Sequence, residues 1–239
     1  MGFEPLNASR HESVARFWLS DWSLSALLAL LVVAIFILDP ILQLRATPAV
    51  LQPVVYSLFV VAAAPIALRA RGHRGVTVLF GTLGVVNIVI RWTSYIHPNT
   101  MLDCADTIVS LAFCVVLAAM LLVQAYAPGP IDLRRIRGAV AAYLLLSFVW
   151  ALAYKLIALG DPAAFGFPAT DVRSRSLISR LLYFSMTTMT TVGYGDITPI
   201  NPVACSLANL EGMIGQLFPA LTLARLVSME IASRQQRDQ

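Results

Sequence analysis

Charge is what this chain has least of. Asp, Glu, Lys and Arg make up 13% of its 239 residues against 58% hydrophobic, and the mean hydropathy is +0.76. A chain so short of polar surface cannot close into a water-soluble globule, and it reads as a polytopic membrane protein. Lysine is nearly missing. Lys155 is the sole one, and the arginines gather in short clusters between apolar runs; such clusters set membrane topology and argue against nucleic acid as a partner. Cys104, Cys114 and Cys205 are odd in number and lack metal-ligand spacing, so they read as small buried hydrophobes with no disulfide or metal site. Only His11, His73 and His97 are present, each near a polar boundary, and no Cys/His pair, Ser/His/Asp set or phosphate-binding glycine loop accompanies them. The expectation is therefore no enzyme and no cofactor. No cleavable leader is expected either: residues 1–21 are polar and the first apolar run starts late.

Long apolar runs are what is there. They place spans at Trp22–Leu38, Val50–Leu68, Val76–Ile96, about Ala105–Tyr126, Ala139–Leu159 and about Val203–Met229, with a shorter apolar run, Ser179–Met189, before the last. Asp39-Pro40 ends the first span and Pro128-Gly129-Pro130 breaks the chain after the fourth. Residues 7–20 mix charges with Val14, Phe17, Trp18 and Leu19, which reads either as an amphipathic helix on the membrane surface or as a frayed arm. Basic clusters at Arg69, Arg71, His73, Arg74 and at Arg134, Arg135, Arg137 follow the second and fourth spans, so both loops fall on one side. The positive-inside rule assigns that side, and both termini, to the cytoplasm. The expected layout is a cytoplasmic or interfacial segment (1–21), a four-helix peripheral transmembrane domain (22–127), a cytoplasmic linker (128–138), a fifth-to-sixth-span unit (139–230) and a cytoplasmic tail (231–239). That tail is too short to hold a nucleotide-binding or calcium-binding domain.

One stretch carries chemistry that membrane filler does not: Thr190-Thr191-Val192-Gly193-Tyr194-Gly195-Asp196. A strand points alternate carbonyls to opposite sides, whereas Gly193 and Gly195 enter positive φ at little cost and turn their neighbours' carbonyls back. The carbonyls of Thr191, Val192, Gly193 and Tyr194 then face one axis as a substitute hydration shell for a cation, with the Thr191 hydroxyl as innermost ligand. The end of the preceding apolar helix, at Thr187 and Thr188, aims its negative dipole at the inner side of that axis.

With an apolar span before it and another after it, this unit resembles the pore-loop potassium channels over residues 137–230. The K⁺ preference of such a carbonyl ring is a known property of this motif rather than something the residues alone derive. The resemblance implies an all-α membrane protein of six transmembrane helices, with a re-entrant pore helix and selectivity filter between the fifth and sixth. The filter occurs once per chain, so one chain supplies only part of a ring; the resemblance implies a homotetramer in a cell membrane, with K⁺ and lipid as its other partners. The same single copy speaks against an uptake protein built from several filter-bearing repeats. The remaining alternative is a non-conducting sensor or auxiliary subunit that keeps the pore fold.

Departures from the family are informative. Many members place Trp where Phe184 stands and some place Glu where Thr187 stands. Phe184 cannot donate a hydrogen bond, so Asp196 takes its donor from Tyr183, a backbone N–H or water, and slow filter inactivation is expected. The fourth span has no charged side chain from Thr107 to Tyr126, so weak or absent voltage dependence is expected. Arg91 either pairs with Asp103 or Asp106 or extends to the interface. In the sixth span Gly215 and Pro219 are four apart, which predicts a bend, read as a gating pivot by resemblance or as a static kink. Gly212, Gly215, Gln216, Pro219 and Leu223 share a face expected to line an inner cavity. Glu211 needs a partner or a proton, with Lys155, Thr187 and Thr188 as candidates; it reads either as a pH-sensitive brace or as a satisfied buried carboxyl.

Overall fold

A computed structural model describes residues 24–38, 40–41, 50–68, 74–126, 133–168 and 177–237. The N-terminal segment, Arg69, Arg71 and His73 of the first basic cluster, and the Pro128–Pro130 break lie outside the described residues.

The described chain is helical apart from one short pair of strands. Helix α1, Leu24–Leu38, buries the stripe Leu24, Leu27, Leu31 and Ile35. Its last turn widens into a π-helix, Ala34–Leu38, just ahead of Pro40, which has no N–H to continue the ladder. Helix α2, Leu51–Leu68, carries Pro53 in its first turn, where a missing N–H costs nothing. Helices α3, Arg74–Ile96, and α4, Thr100–Ala125, form an antiparallel hairpin. Between them Asn99 adopts extended backbone and its side chain accepts from the Met101 N–H, which fixes where α4 begins.

Helix α5, Leu133–Gly160, packs most extensively on α4, and Leu117, Leu121, Ala141, Ala142 and Leu145 belong to one buried core. Helix α6, Leu177–Met189, leans on α5, and α7, Pro202–Arg237, touches mainly α6. Two boundaries differ from the sequence reading. Helix α5 starts inside the stretch expected as linker, and α7 runs through most of the stretch expected as tail, because residues 133–138 and 231–237 contain no proline and supply helix-forming Leu, Arg, Ala and Gln.

Three described helices are long and apolar enough to cross a membrane, Thr77–Ile96, Thr100–Ala125 and Arg135–Gly160, while Leu24–Leu38 and Leu51–Ala64 are shorter apolar helices. Val78, Val85 and Val89 of α3 remain exposed, as lipid-facing residues do. On α7 the exposed residues Leu210, Met213, Leu217 and Leu221 fall on one helical stripe that nothing in a single chain covers.

Strands β1, Phe165–Gly166, and β2, Thr198–Pro199, pair antiparallel and clip the chain before α6 to the chain after the glycine motif. A Cβ on Gly166 would sit 2.9 Å from Thr198 Oγ1, so a larger residue there would have to displace the Thr198 side chain. The Ala164 carbonyl accepts from Ile200 and Asn201, and the Asn201 amide donates to Asp161 at 3.0 Å. Both ends of the α6 segment are thereby anchored at one place.

Candidate functional site

Helix α6 is short because its task is positional. It buries Ile178, Leu181, Leu182, Ser185 and Met189 against the bundle and delivers its last carbonyls to the segment that follows. Those carbonyls take the segment's amides. Thr190 N–H donates to Met186 O at 3.0 Å, Thr191 N–H to Thr188 O at 3.0 Å, and Val192 and Gly193 N–H both donate to Thr187 O at 2.9 and 3.1 Å. Every polar backbone group needs a partner, and here the donors have theirs on one side. Among the described residues, the carbonyls of Thr191, Val192, Gly193 and Tyr194 accept no hydrogen bond.

The backbone alternates in hand. Thr191, Gly193 and Gly195 have φ of 61°, 53° and 76°, while Val192 and Tyr194 do not enter positive φ. Alternation at every second residue turns successive carbonyls the same way, which a uniform strand cannot do. Sequence reasoning placed positive φ at the two glycines and missed Thr191. A β-branched residue is costly there, and two polar contacts hold it: Thr191 Oγ1 donates to Thr190 O at 2.7 Å and accepts from Gln216 Nε2 at 3.2 Å.

Residues 142–231 match a family described as ion channel. The chain is 34% identical over 88 residues to Protein LctB of Bacillus caldotenax, covering 36% of this chain and 64% of that protein. It is 37% identical over 93 residues to the potassium voltage-gated channel protein shk-1 of Caenorhabditis elegans, covering 38% of this chain and 17% of that one. It is 36% identical over 75 residues to the inward rectifier potassium channel Kirbac3.1 of Paramagnetospirillum magnetotacticum, covering 31% and 22%. Over this segment the chain is therefore similar to ion channels, two of these relatives being named as potassium channels. The chain spans less than two thirds of the length of each of these relatives, and no solved structure matches it significantly.

By that likeness α6 stands where such channels have a pore helix, residues 191–195 where they have a filter and α7 where they have an inner helix, and the elements carry those labels below. At the outer end of the filter Tyr183 and Asp196 line one shared pocket. The Tyr183 and Tyr194 rings stack with centroids 6.4 Å apart. Phe184, where many members carry a donor, is instead a packing residue: its ring meets Tyr154 at 5.2 Å and Phe165 at 5.7 Å, both edge to face.

That aromatic group orients a network behind the filter which the sequence did not foretell. Glu211 of the inner helix is fully buried, and its partners are Tyr154 and Ser185 rather than Lys155, Thr187 or Thr188. Tyr154 donates to Oε2 at 2.6 Å; Ser185 donates to Oε1, and its hydroxyl also lies 2.9 Å from the Ser147 carbonyl. Thr187 is turned back to Phe184 O of its own helix, and Lys155, next in sequence to Tyr154, projects from another side of α5 into the peripheral bundle. The available signal was Tyr154 itself, since a phenol on a membrane helix needs an acceptor.

The expected cavity-lining face of the inner helix divides. Gly215 is buried with its α-carbon against the Met189 carbonyl, so that any Cβ would overlap backbone, and Tyr143 donates to the same carbonyl at 3.3 Å. This close approach gives Gly215 a packing role and removes it from the cavity face. Gly212 lies over Thr188 O with more room, a Cβ there reaching 4.0 Å. Gln216 stays exposed and reaches the filter, while Pro219 sits within a helix that continues past it.

Proposed function

We propose that four copies of this chain form a potassium-selective channel that carries passive K⁺ flux across a cell membrane. The observation that carries this reading is the row of carbonyls at Thr191, Val192, Gly193 and Tyr194, free of hydrogen bonds within the chain while the neighbouring amides are tied to the pore helix. One chain gives one side of a cage; a ring around a fourfold axis gives each dehydrated K⁺ its oxygens. The uncovered stripe Leu210, Met213, Leu217 and Leu221 supports self-assembly, because a neighbouring copy supplies the apolar cover. In this reading six spans cross the membrane with both termini in the cytoplasm, and Asp196 faces outward.

Gating in this proposal is not by voltage. Arg91 is held in a bidentate pair with Asp106, and α4 carries no arginine ladder for the field to move. Reconstitution of the purified protein into liposomes with a K⁺ gradient tests the function. K⁺ efflux that exceeds Na⁺ efflux supports it, and vesicles equally tight to both ions, at every pH, voltage and tension tried, overturn it.

A further inference from the structure

Away from the filter, helices α1 to α5 and Ile178 of α6 line an open cavity of about 280 Å³ at the end of the bundle where the α3–α4 turn lies. Four charged side chains face it, Arg91, Asp103, Asp106 and Lys155. Two of them satisfy each other. Arg91 reaches both Asp106 oxygens at 3.2 and 3.3 Å and Ser110 at 2.7 Å, with the Tyr56 ring 4.7 Å away, and Asn87 completes Ser110 at 2.7 Å.

The other two do not. The Asp103 carboxylate accepts from Ser94 at 2.8 Å and, among the described residues, from nothing else. Lys155 has no hydrogen bond or ion pair among the described residues, although the fields of Asp106 and Asp103 reach it. One ammonium and one carboxylate therefore face a shared space without touching. Charges held that way inside a membrane protein are costly until something bridges them.

We propose that this cavity binds a small zwitterion of the amino-acid or ω-amino-acid class, its carboxylate on Lys155 and its ammonium on Asp103. A simple anion would satisfy Lys155 and set its own charge against Asp103, and a simple cation would do the reverse; a zwitterion compensates both and adds no net charge. The volume suits a compact molecule, since pockets for drug-sized ligands run from roughly 300 to 1,000 Å³.

Titration calorimetry on the detergent-solubilised full chain tests the site with glycine, β-alanine, 4-aminobutyrate and 6-aminohexanoate. The readout is binding, so a protein that fails to conduct leaves the test intact. The expected result is saturable binding of at least one member, weakened about tenfold or more by K155Q and by D103N. Butyrate and butylamine are expected to bind about tenfold or more weakly than the best zwitterion. Should K155Q misfold, K155M serves in its place. The proposal is overturned if no member binds up to about 10 mM, if binding is undiminished in whichever Lys155 variants fold, or if butyrate alone binds as well.

Discussion

The Tyr154 hydroxyl meets Glu211 Oε2 at 2.6 Å, joining the outer helix of the pore to the inner helix through a contact hidden behind the filter. Ser185 of the pore helix takes the other oxygen, so three helices converge on one carboxyl. Replacing Tyr154 by Phe keeps the ring packing and removes one donor. A buried acceptor left without its partner costs about 1–3 kcal/mol, so Y154F is expected to melt measurably below wild type while still assembling. Glu211→Gln keeps the shape but places an amide NH₂ opposite one of two donors; thermal denaturation should rank it below wild type too. If neither variant moves the melting curve, the network contributes nothing to stability.

Gly215 and Gly212 form a matched pair of sites on one face. An alanine at Gly215 must push the inner helix off the Met189 carbonyl, whereas at Gly212 the added methyl meets its nearest backbone atom at van der Waals distance. We expect G215A to abolish or strongly reduce K⁺ flux and G212A to preserve it. Equal flux from the two variants would contradict the close approach.

At Gly193 and Gly195 the constraint is conformational. Nothing lies within 4 Å of a Cβ placed on either residue in the single chain, yet both sit at positive φ. Alanine there costs about 1–2 kcal/mol per residue and turns carbonyls away from the axis. The expected outcome in liposome flux is loss of K⁺ over Na⁺ discrimination with tetramers still recovered on gel filtration. Retained selectivity in G193A would count against the carbonyl row as the selective element.

The Arg91–Asp106 pair is mostly buried, at 14% and 15% side-chain exposure. Removing one partner strands a charge and is expected to destabilise by on the order of 3 kcal/mol, so R91Q should lower the melting temperature and R91Q/D106N should restore much of it. With this pair fixed and α4 free of charged side chains from Thr107 onward, the conductance–voltage relation should be shallow. A steep relation needing several gating charges would refute the assignment of α1 to α4 as a non-sensing domain.

Much of this protein was legible as sequence because two strong constraints act locally. Apolar runs long enough to span a bilayer mark themselves without reference to any partner, and the Thr-Val-Gly-Tyr-Gly motif carries its backbone geometry in its own glycines. The partners of Glu211 were not legible, since Tyr154 and Ser185 lie 57 and 26 residues away in the chain; a phenol on a membrane helix signals that it needs an acceptor and does not say which one. Gly215 looked like a hinge because glycine and proline four apart weaken a helix; that its missing Cβ makes room for Met189 depends on where the pore helix ends. Thr191 at positive φ is likewise invisible, as its conformation is held by Gln216 from the next helix.

The sequence alone determined that the chain lives in a membrane and that a filter-like loop lies between two apolar helices, because hydropathy and backbone freedom are properties of residues in order. Only the tertiary structure decided which polar groups satisfy one another inside that apolar volume, because a buried hydrogen bond depends on distances between helices, and those are set by packing.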